Sequence, residues 1–194
     1  MRIVKVKRAM ILFLIIGTLA VVAGCARWPD EPGPEPETDY QLEITVEVAG
    51  EINSYDGIYY IVLDADEESI DGPGDDLFFW DDDFYYIKLE NDFFYFAQKE
   101  ENSPELYLTN NSISENKIQV TIDLSDLEDP SSVDINVITT DTESSITYDH
   151  LATYFTVYTE NIGFQNPDPD SPGDSGDGGV DFDIINVTAE ITTL

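Results

Sequence analysis

Cysteine, histidine and basic residues are scarce in this sequence. Its 194 residues include one cysteine, one histidine and 8 lysines and arginines against 41 aspartates and glutamates, for a net charge of −33. One cysteine excludes an internal disulfide framework and a cysteine-based zinc site, and one histidine excludes a histidine-cluster metal site. Because a chain this acidic cannot hold a phosphate backbone by counterion release, we expect no nucleic-acid partner.

The N-terminus has the pattern of an export signal. Basic residues within the first eight positions precede an uncharged, apolar stretch at residues 9–24, which is shorter than the ~20 residues that a membrane-spanning helix needs. The stretch ends in the small residues Ala23 and Gly24, as a cleavage site requires, and Cys25 follows. A simple membrane anchor and an ordinary signal peptide cut near Gly24 are the alternatives.

The tetrapeptide Val-Ala-Gly-Cys at residues 22–25 resembles the lipobox of bacterial lipoproteins. The resemblance implies a signal helix at residues 1–24 that is removed and a lipid on Cys25 that anchors the protein to the membrane. Each buried CH₂ of an acyl chain contributes about 0.8 kcal/mol, so several chains make a stable anchor. We therefore expect the protein at the extracytoplasmic face of the bacterial cell envelope. In lipoproteins of bacteria with two membranes, an aspartate directly after the lipidated cysteine usually signals retention at the inner membrane. Ala26 stands at this position and favours the outer surface, and the choice between inner and outer membrane stays open.

Residues 25–39 are predicted to form an extended tether between the lipid and a folded domain at residues 40–194. Four prolines alternate there with acidic residues. Proline fixes φ and lacks an N–H, so helix and inner strand are excluded. Such a segment extends about 3.1 Å per residue, and we expect it to hold the domain off the membrane.

From residue 40 onward the sequence has the alternation typical of β-strands. Leu42, Ile44 and Val46 alternate with more polar residues, which predicts a half-buried strand. Residues 58–63 are nearly all apolar and predict a central strand, and Ser125 to Asp129 predict a single helical turn. About nine or ten short strands without a βαβ rhythm favour an all-β fold, an antiparallel β-sandwich of immunoglobulin-like or jelly-roll-like type.

Two acidic loops interrupt the predicted strands, one at residues 64–76 and a long one at residues 165–180 inside the domain. Calcium takes about six to eight oxygen ligands from flexible loops, and glycines let backbone carbonyls turn inward. The candidate calcium ligands are Asp64, Asp66, Asp71, Asp75, Asp76, Asp174 and Asp177. The alternative is a solvated acidic surface whose self-repulsion is offset by salt, without a specific site.

Consecutive aromatic residues lie on several of the predicted strands. Adjacent residues of a strand face opposite sides, so one set fills the core and the other faces solvent, a partner or a covering loop, such as residues 164–180. Exposed aromatic rows can stack on sugar rings. The candidate stacking residues are Tyr60, Trp80, Tyr86 and Tyr95.

Residues 57–64 (GIYYIVLD) and 71–76 (DGPGDD) are similar to the central strands of DOMON-like and family 9 carbohydrate-binding modules. The resemblance implies a β-sandwich that binds sugar or haem, often with calcium in its loops. Haem needs axial histidine or methionine ligands. Since both methionines lie within residues 1–24, His150 alone would remain in the mature chain, and we expect neither haem nor a nucleotide cofactor.

Catalysis has no positive signal in the sequence. A pair of carboxylates is uninformative among 41 acids, and Ser144 and Ser145 near Asp149 and His150 lack the nucleophile elbow of a hydrolase.

The sequence therefore predicts a non-catalytic β-sandwich binding module on a surface lipoprotein, with carbohydrate as ligand and calcium-stabilised loops. The alternative is a structural or interaction protein of the envelope that binds another envelope protein and no small molecule.

Overall fold

A computed structural model gives the fold, and it describes residues 39–66, 72–74, 76, 80–100, 103–170 and 172–194. The predicted signal helix, Cys25 and nearly all of the tether, together with Asp71 and Asp75, lie outside the described residues. The compact unit that holds the strands runs from Thr38 to Leu194. Within the described residues, no helix has the length and apolar character needed to cross a bilayer.

The described chain forms two antiparallel sheets. In chain order the strands are β1 (Tyr40–Val48), β2 (Gly57–Asp64), β3 (Tyr85–Glu90), β4 (Phe93–Gln98), β5 (Leu106–Tyr107), β6 (Asn111–Ser114), β7 (Lys117–Asp123), β8 (Ser132–Asp141), β9 (Thr147–His150), β10 (Phe155–Tyr158), β11 (Asn166–Pro169) and β12 (Ile184–Thr193). The smaller sheet has the order β11-β12-β1-β7-β6, and the larger has the order β10-β8-β2-β3-β4-β5, with β9 paired to β8. The prediction of an all-β antiparallel sandwich is confirmed.

The main core lies between the two sheets and follows from strand alternation. Leu42, Ile44 and Val46 on β1 are fully buried, and the residues between them are half-buried. They belong to one hydrophobic cluster with Tyr59 and Ile61 of β2 in the larger sheet. Every residue of β2 is buried, because both faces of this strand are covered.

A segment between β2 and β3 covers the outer face of the larger sheet. We name its described residues, 72–74, 76 and 80–84, the covering segment. The indole Nε1 of Trp80 donates to the carbonyl oxygen of Gly74 at 3.1 Å, and Asn136 Nδ2 donates to that of Pro73 at 2.8 Å. Trp80 also packs with Tyr60 in a second, smaller hydrophobic cluster. The segment on this face is therefore the one after β2, and not residues 164–180.

Three local expectations differ from the structure. Residues 165–180 are not one loop, because β11 pairs with β12 and a 3-10 turn spans Gly176–Gly178. Trp80, one of the aromatic residues expected on a strand, lies outside any strand, and residues 77–79 are outside the described residues. The predicted helical turn is a 3-10 helix at Leu124–Leu127, whose two leucines are buried.

Candidate functional site

One group of three carboxylates among the described residues lies close enough to share a metal ion. Asp149, Asp174 and Asp183 each place a carboxylate oxygen within 4.8 Å of the other two. Asp149 and Asp183 are buried, with 5% and 2% of their surface exposed, whereas Asp174 is exposed. Two buried oxygen donors and one at the surface suit a hard cation that enters from solvent.

Backbone N–H groups orient both buried carboxylates of this acidic cluster. Asp149 on β9 accepts hydrogen bonds from the N–H of His150 at 2.8 Å and of Ile184 at 2.7 Å. Asp183, directly before β12, accepts the N–H of Gly173 on both oxygens, at 2.9 and 2.8 Å. Gly173 has φ of 95°, a backbone conformation that glycine adopts without strain. These bonds hold the loop before β12 against β9.

The acidic cluster borders a cavity whose lining also includes His150. The cavity has a volume of about 290 Å³, and its lining includes Asp149, Asp170 and Asp174. Burial raises the pKa of Asp149 to about 6, and the nearby charges of Asp174 and Asp170 add to that rise. The lysines of the described chain make their contacts elsewhere, with glutamates or with aromatic rings. A cation would therefore relieve the repulsion among these acids.

Of the predicted calcium ligands that the structure describes, Asp174 alone lies in this cluster. Asp177 is exposed on the 3-10 turn, and Asp76 is half-buried in the covering segment. The sequence analysis did not select Asp149 or Asp183 as ligands. Asp149 lies at a buried position of the short strand β9, and its local sequence gives no signal that identifies a ligand.

A second pair of buried acids lies where β2 ends. Asp64 is directly opposite Asp134 on β8, and the two side chains are 5% and 8% exposed. The N–H of Asp66 donates to Asp64 Oδ1 at 3.0 Å. Burial raises the pKa of Asp64 to about 7, with further contributions from Asp66 and Asp134. The structure thus separates the predicted ligands Asp64 and Asp66 from Asp174 and joins Asp64 to an acid that the sequence analysis missed.

Two of the predicted stacking residues are inside the protein. Tyr60 and Trp80 are only 8% and 6% exposed, and their ring centroids lie 5.7 Å apart. Tyr86 is half-buried and packs on both, at 6.1 and 6.4 Å. The covering segment therefore leaves Tyr60 and Trp80 no ring face for a ligand from solvent.

A different set of rings faces outward at the edge of the larger sheet. We name Phe93, Tyr95 and Tyr107 the aromatic patch. Phe93 and Tyr107 are 55% and 70% exposed, and Tyr95, the predicted member, is half-buried. The Tyr107 ring centroid lies 5.1 Å from that of Tyr95 and 6.2 Å from that of Phe93. The sequence did not identify Phe93 and Tyr107, because the hairpin register decides which rings of β4 and β5 share a face.

Charged groups lie directly beside the aromatic patch. Lys88 Nζ lies 4.9 Å from the centre of the Tyr95 ring and 2.7 Å from Glu105 Oε1. The same glutamate oxygen accepts a hydrogen bond from the hydroxyl of Tyr86 at 3.1 Å. Ring faces and hydrogen-bonding groups therefore occur together on this surface.

No family model, curated protein or solved structure matches this chain at a significant level.

Proposed function

We propose that this protein is a lipid-anchored, non-catalytic binding module of the bacterial cell surface that holds a polysaccharide on its aromatic patch. The observation that carries the proposal is the exposure of Phe93 and Tyr107 next to Tyr95, with Glu105 and Lys88 beside them. The lipobox-like sequence supports an anchor at the membrane. The tether would then present the domain to material outside the cell.

Sugar rings match this surface because each has an apolar C–H face and a rim of hydroxyl groups. The rings of the patch offer apolar faces, and Glu105 and Lys88 offer charged hydrogen-bond partners at their edge. Tyrosine contributes a large contact area with few rotatable bonds to immobilise.

The aromatic patch is tested by alanine substitution in the full chain, solubilised in detergent. We expect Tyr107→Ala to raise the Kd for a bound polysaccharide about 10-fold, because about 1.4 kcal/mol of ring stacking is lost. Affinity electrophoresis through gels that contain soluble polysaccharides measures the change. Tyr158→Ala is the matched control, since Tyr158 is 54% exposed on β10. Equal losses in both variants, or no retardation of the wild type by any polysaccharide, would contradict the proposal.

We propose in addition that calcium binds the acidic cluster of Asp149, Asp174 and Asp183 and stabilises the loop before β12. Two buried, backbone-oriented carboxylates and one exposed carboxylate support this site. Calcium accepts such mixed oxygen ligands and completes its shell with water. The cation would neutralise acids that otherwise repel each other beside the cavity.

Thermal unfolding of the full chain tests the calcium site. We expect millimolar calcium to raise the unfolding midpoint above that found with chelator, since calcium at about 100 times its Kd adds ~2.7 kcal/mol. Asp149→Asn should remove most of the rise, and Asp82→Asn, at an exposed acid, should retain it. Sodium chloride at matched ionic strength is the second control. If it raises the midpoint as much as calcium does, the effect is screening, and no specific site exists.

An alternative function, docking of another envelope protein, is favoured by the sheet edge at β5. Leu106 and Tyr107 form this two-residue edge strand and are 60% and 70% exposed. Exposed edges of this kind can pair with a strand of another chain. Cross-linking and sedimentation of the full chain distinguish the two functions. If the wild type forms a complex with another protein, Leu106→Lys disrupts that complex and no polysaccharide binds, the result would favour the interaction protein.

A further inference from the structure

We propose that a second divalent cation binds between Asp64 and Asp134 and holds the end of β2 to β8, on the face of the larger sheet that the covering segment packs on. This site is separate from the acidic cluster of Asp149, and it does not depend on polysaccharide binding. Its ligand is a hard cation with oxygen preference, for which calcium is the probe.

Strand pairing sets the two carboxylates side by side. Asp64 on β2 and Asp134 on β8 are direct partners in the antiparallel register, and such pairs have Cβ atoms about 4.5–5.5 Å apart. Alternation puts both on the outer face of the sheet, the face that Tyr60 and the covering segment share. Two carboxylates at this spacing can bridge one cation.

The second, independent observation is an unsatisfied atom. Asp134 is 8% exposed, and its Oδ1 atom is buried without a hydrogen-bond partner in the described structure. A buried carboxylate oxygen is costly unless it is hydrogen-bonded, paired with a charge or bound to a metal. The direct neighbour of Asp134 on its other side is Thr156 of β10, which carries no charge. A cation is the partner that satisfies Asp134 and Asp64 together.

The position of the pair gives the cation a structural role. The chain leaves β2 immediately after Asp64, and it returns to the sheet surface where Pro73 accepts a hydrogen bond from Asn136 and Gly74 accepts one from Trp80. Asn136 lies two residues beyond Asp134 on the same face of β8. A cation at Asp64 and Asp134 would therefore hold the end of β2 against β8, on the same face as the contacts that Asn136 and Trp80 make with Pro73 and Gly74.

Tryptophan fluorescence gives a direct readout of this site. The chain has two tryptophans, Trp28 and Trp80, so Trp28→Phe in the full chain leaves Trp80 as the one reporter. Calcium chloride is titrated into this protein in detergent while emission is recorded, and equilibrium dialysis counts bound ions. We expect two bound calcium ions and a change in Trp80 emission.

The variants separate the two cation sites. Asp134→Asn should lose one ion and the Trp80 response, and Asp149→Asn should lose the other ion and retain the response. Asp82→Asn, an exposed acid of the covering segment, should retain both ions. An Asp134→Asn protein that still binds two ions with an unchanged Trp80 response would overturn the proposal. If circular dichroism shows that Asp134→Asn does not fold, the Asp149→Asn variant provides the test, because its remaining cation site is the one at Asp64 and Asp134. An Asp149→Asn protein that binds no calcium would also overturn the proposal.

Discussion

Replacement of Phe182 by alanine is expected to destabilise the domain by about 3–5 kcal/mol, the usual cost of removing a large buried aromatic ring. Phe182 is 4% exposed, and its ring centroid lies 5.3 Å from that of Tyr59 and 5.1 Å from that of Tyr148. Loss of the ring removes packing on both neighbours and leaves a cavity between the core and the loop before β12. Urea denaturation of the full chain measures the change.

The same substitution should also weaken the acidic cluster. Two side-chain donors hold the backbone around Phe182, the Tyr59 hydroxyl to Asp181 O at 2.7 Å and Thr139 Oγ1 to Phe182 O at 2.8 Å. Asp183 follows directly, so a displaced ring would shift a calcium ligand. Phe164→Ala, at a ring that is 61% exposed, is the matched control and should change stability by about 0.5 kcal/mol or less. Similar losses in the two variants would show that the Phe182 ring is not part of the core.

Without divalent cations, the domain is expected to lose stability as the pH rises from about 4 to about 8. The pKa of Asp64 is raised to about 7 and that of Asp149 to about 6, in both cases chiefly by burial. In the unfolded chain both lie near 4, so the folded state binds protons more tightly. The stabilisation is complete below about pH 4 and disappears as the pH passes through the folded-state values.

Besides burial, nearby carboxylates raise the pKa values of these two acids, and backbone N–H groups lower them. The carboxylates are Asp66 and Asp134 for Asp64, and Asp174 and Asp170 for Asp149, and the N–H groups are those of Asp66 for Asp64 and of Ile184 and His150 for Asp149. Each full pKa unit corresponds to about 1.4 kcal/mol. Screening by solvent and salt reduces the combined effect of the two pKa shifts on stability. We therefore expect the free energy of unfolding to fall by about 2 kcal/mol between pH 5 and pH 8.

Urea denaturation in chelator at both pH values measures this loss. A variant with Asp64→Asn and Asp149→Asn should have a flatter profile, because an amide does not titrate. Asp82→Asn should retain the slope of the wild type. Calcium should stabilise the wild type more at pH 8 than at pH 5, since protons compete for the same carboxylates. If the stability of the double variant falls equally steeply with pH, the overall negative charge causes the fall, and these two acids do not.

The fold could be predicted because its signal is local. The alternation of Leu42, Ile44 and Val46 gives the buried face of β1 directly, since the side chains of a strand point alternately to its two faces. The candidate sites could be predicted only in part. Asp174 was recognisable as an acid in a glycine-rich loop, whereas Asp149 and Asp134 stand in strands whose local sequence does not identify a ligand.

The sequence by itself determined most of the strands, the all-β class, the acidity and the expectation of a lipid anchor, because each depends on the composition or order of residues in the chain itself. Only the tertiary structure decided which acids meet and which rings are exposed. Asp64 meets Asp134 through the pairing of β2 with β8, and Asp149 meets Asp183 because the loop before β12 packs on β9. Residues far apart in the chain meet only when strand register and loop packing are set, and the free energy of the whole core determines both.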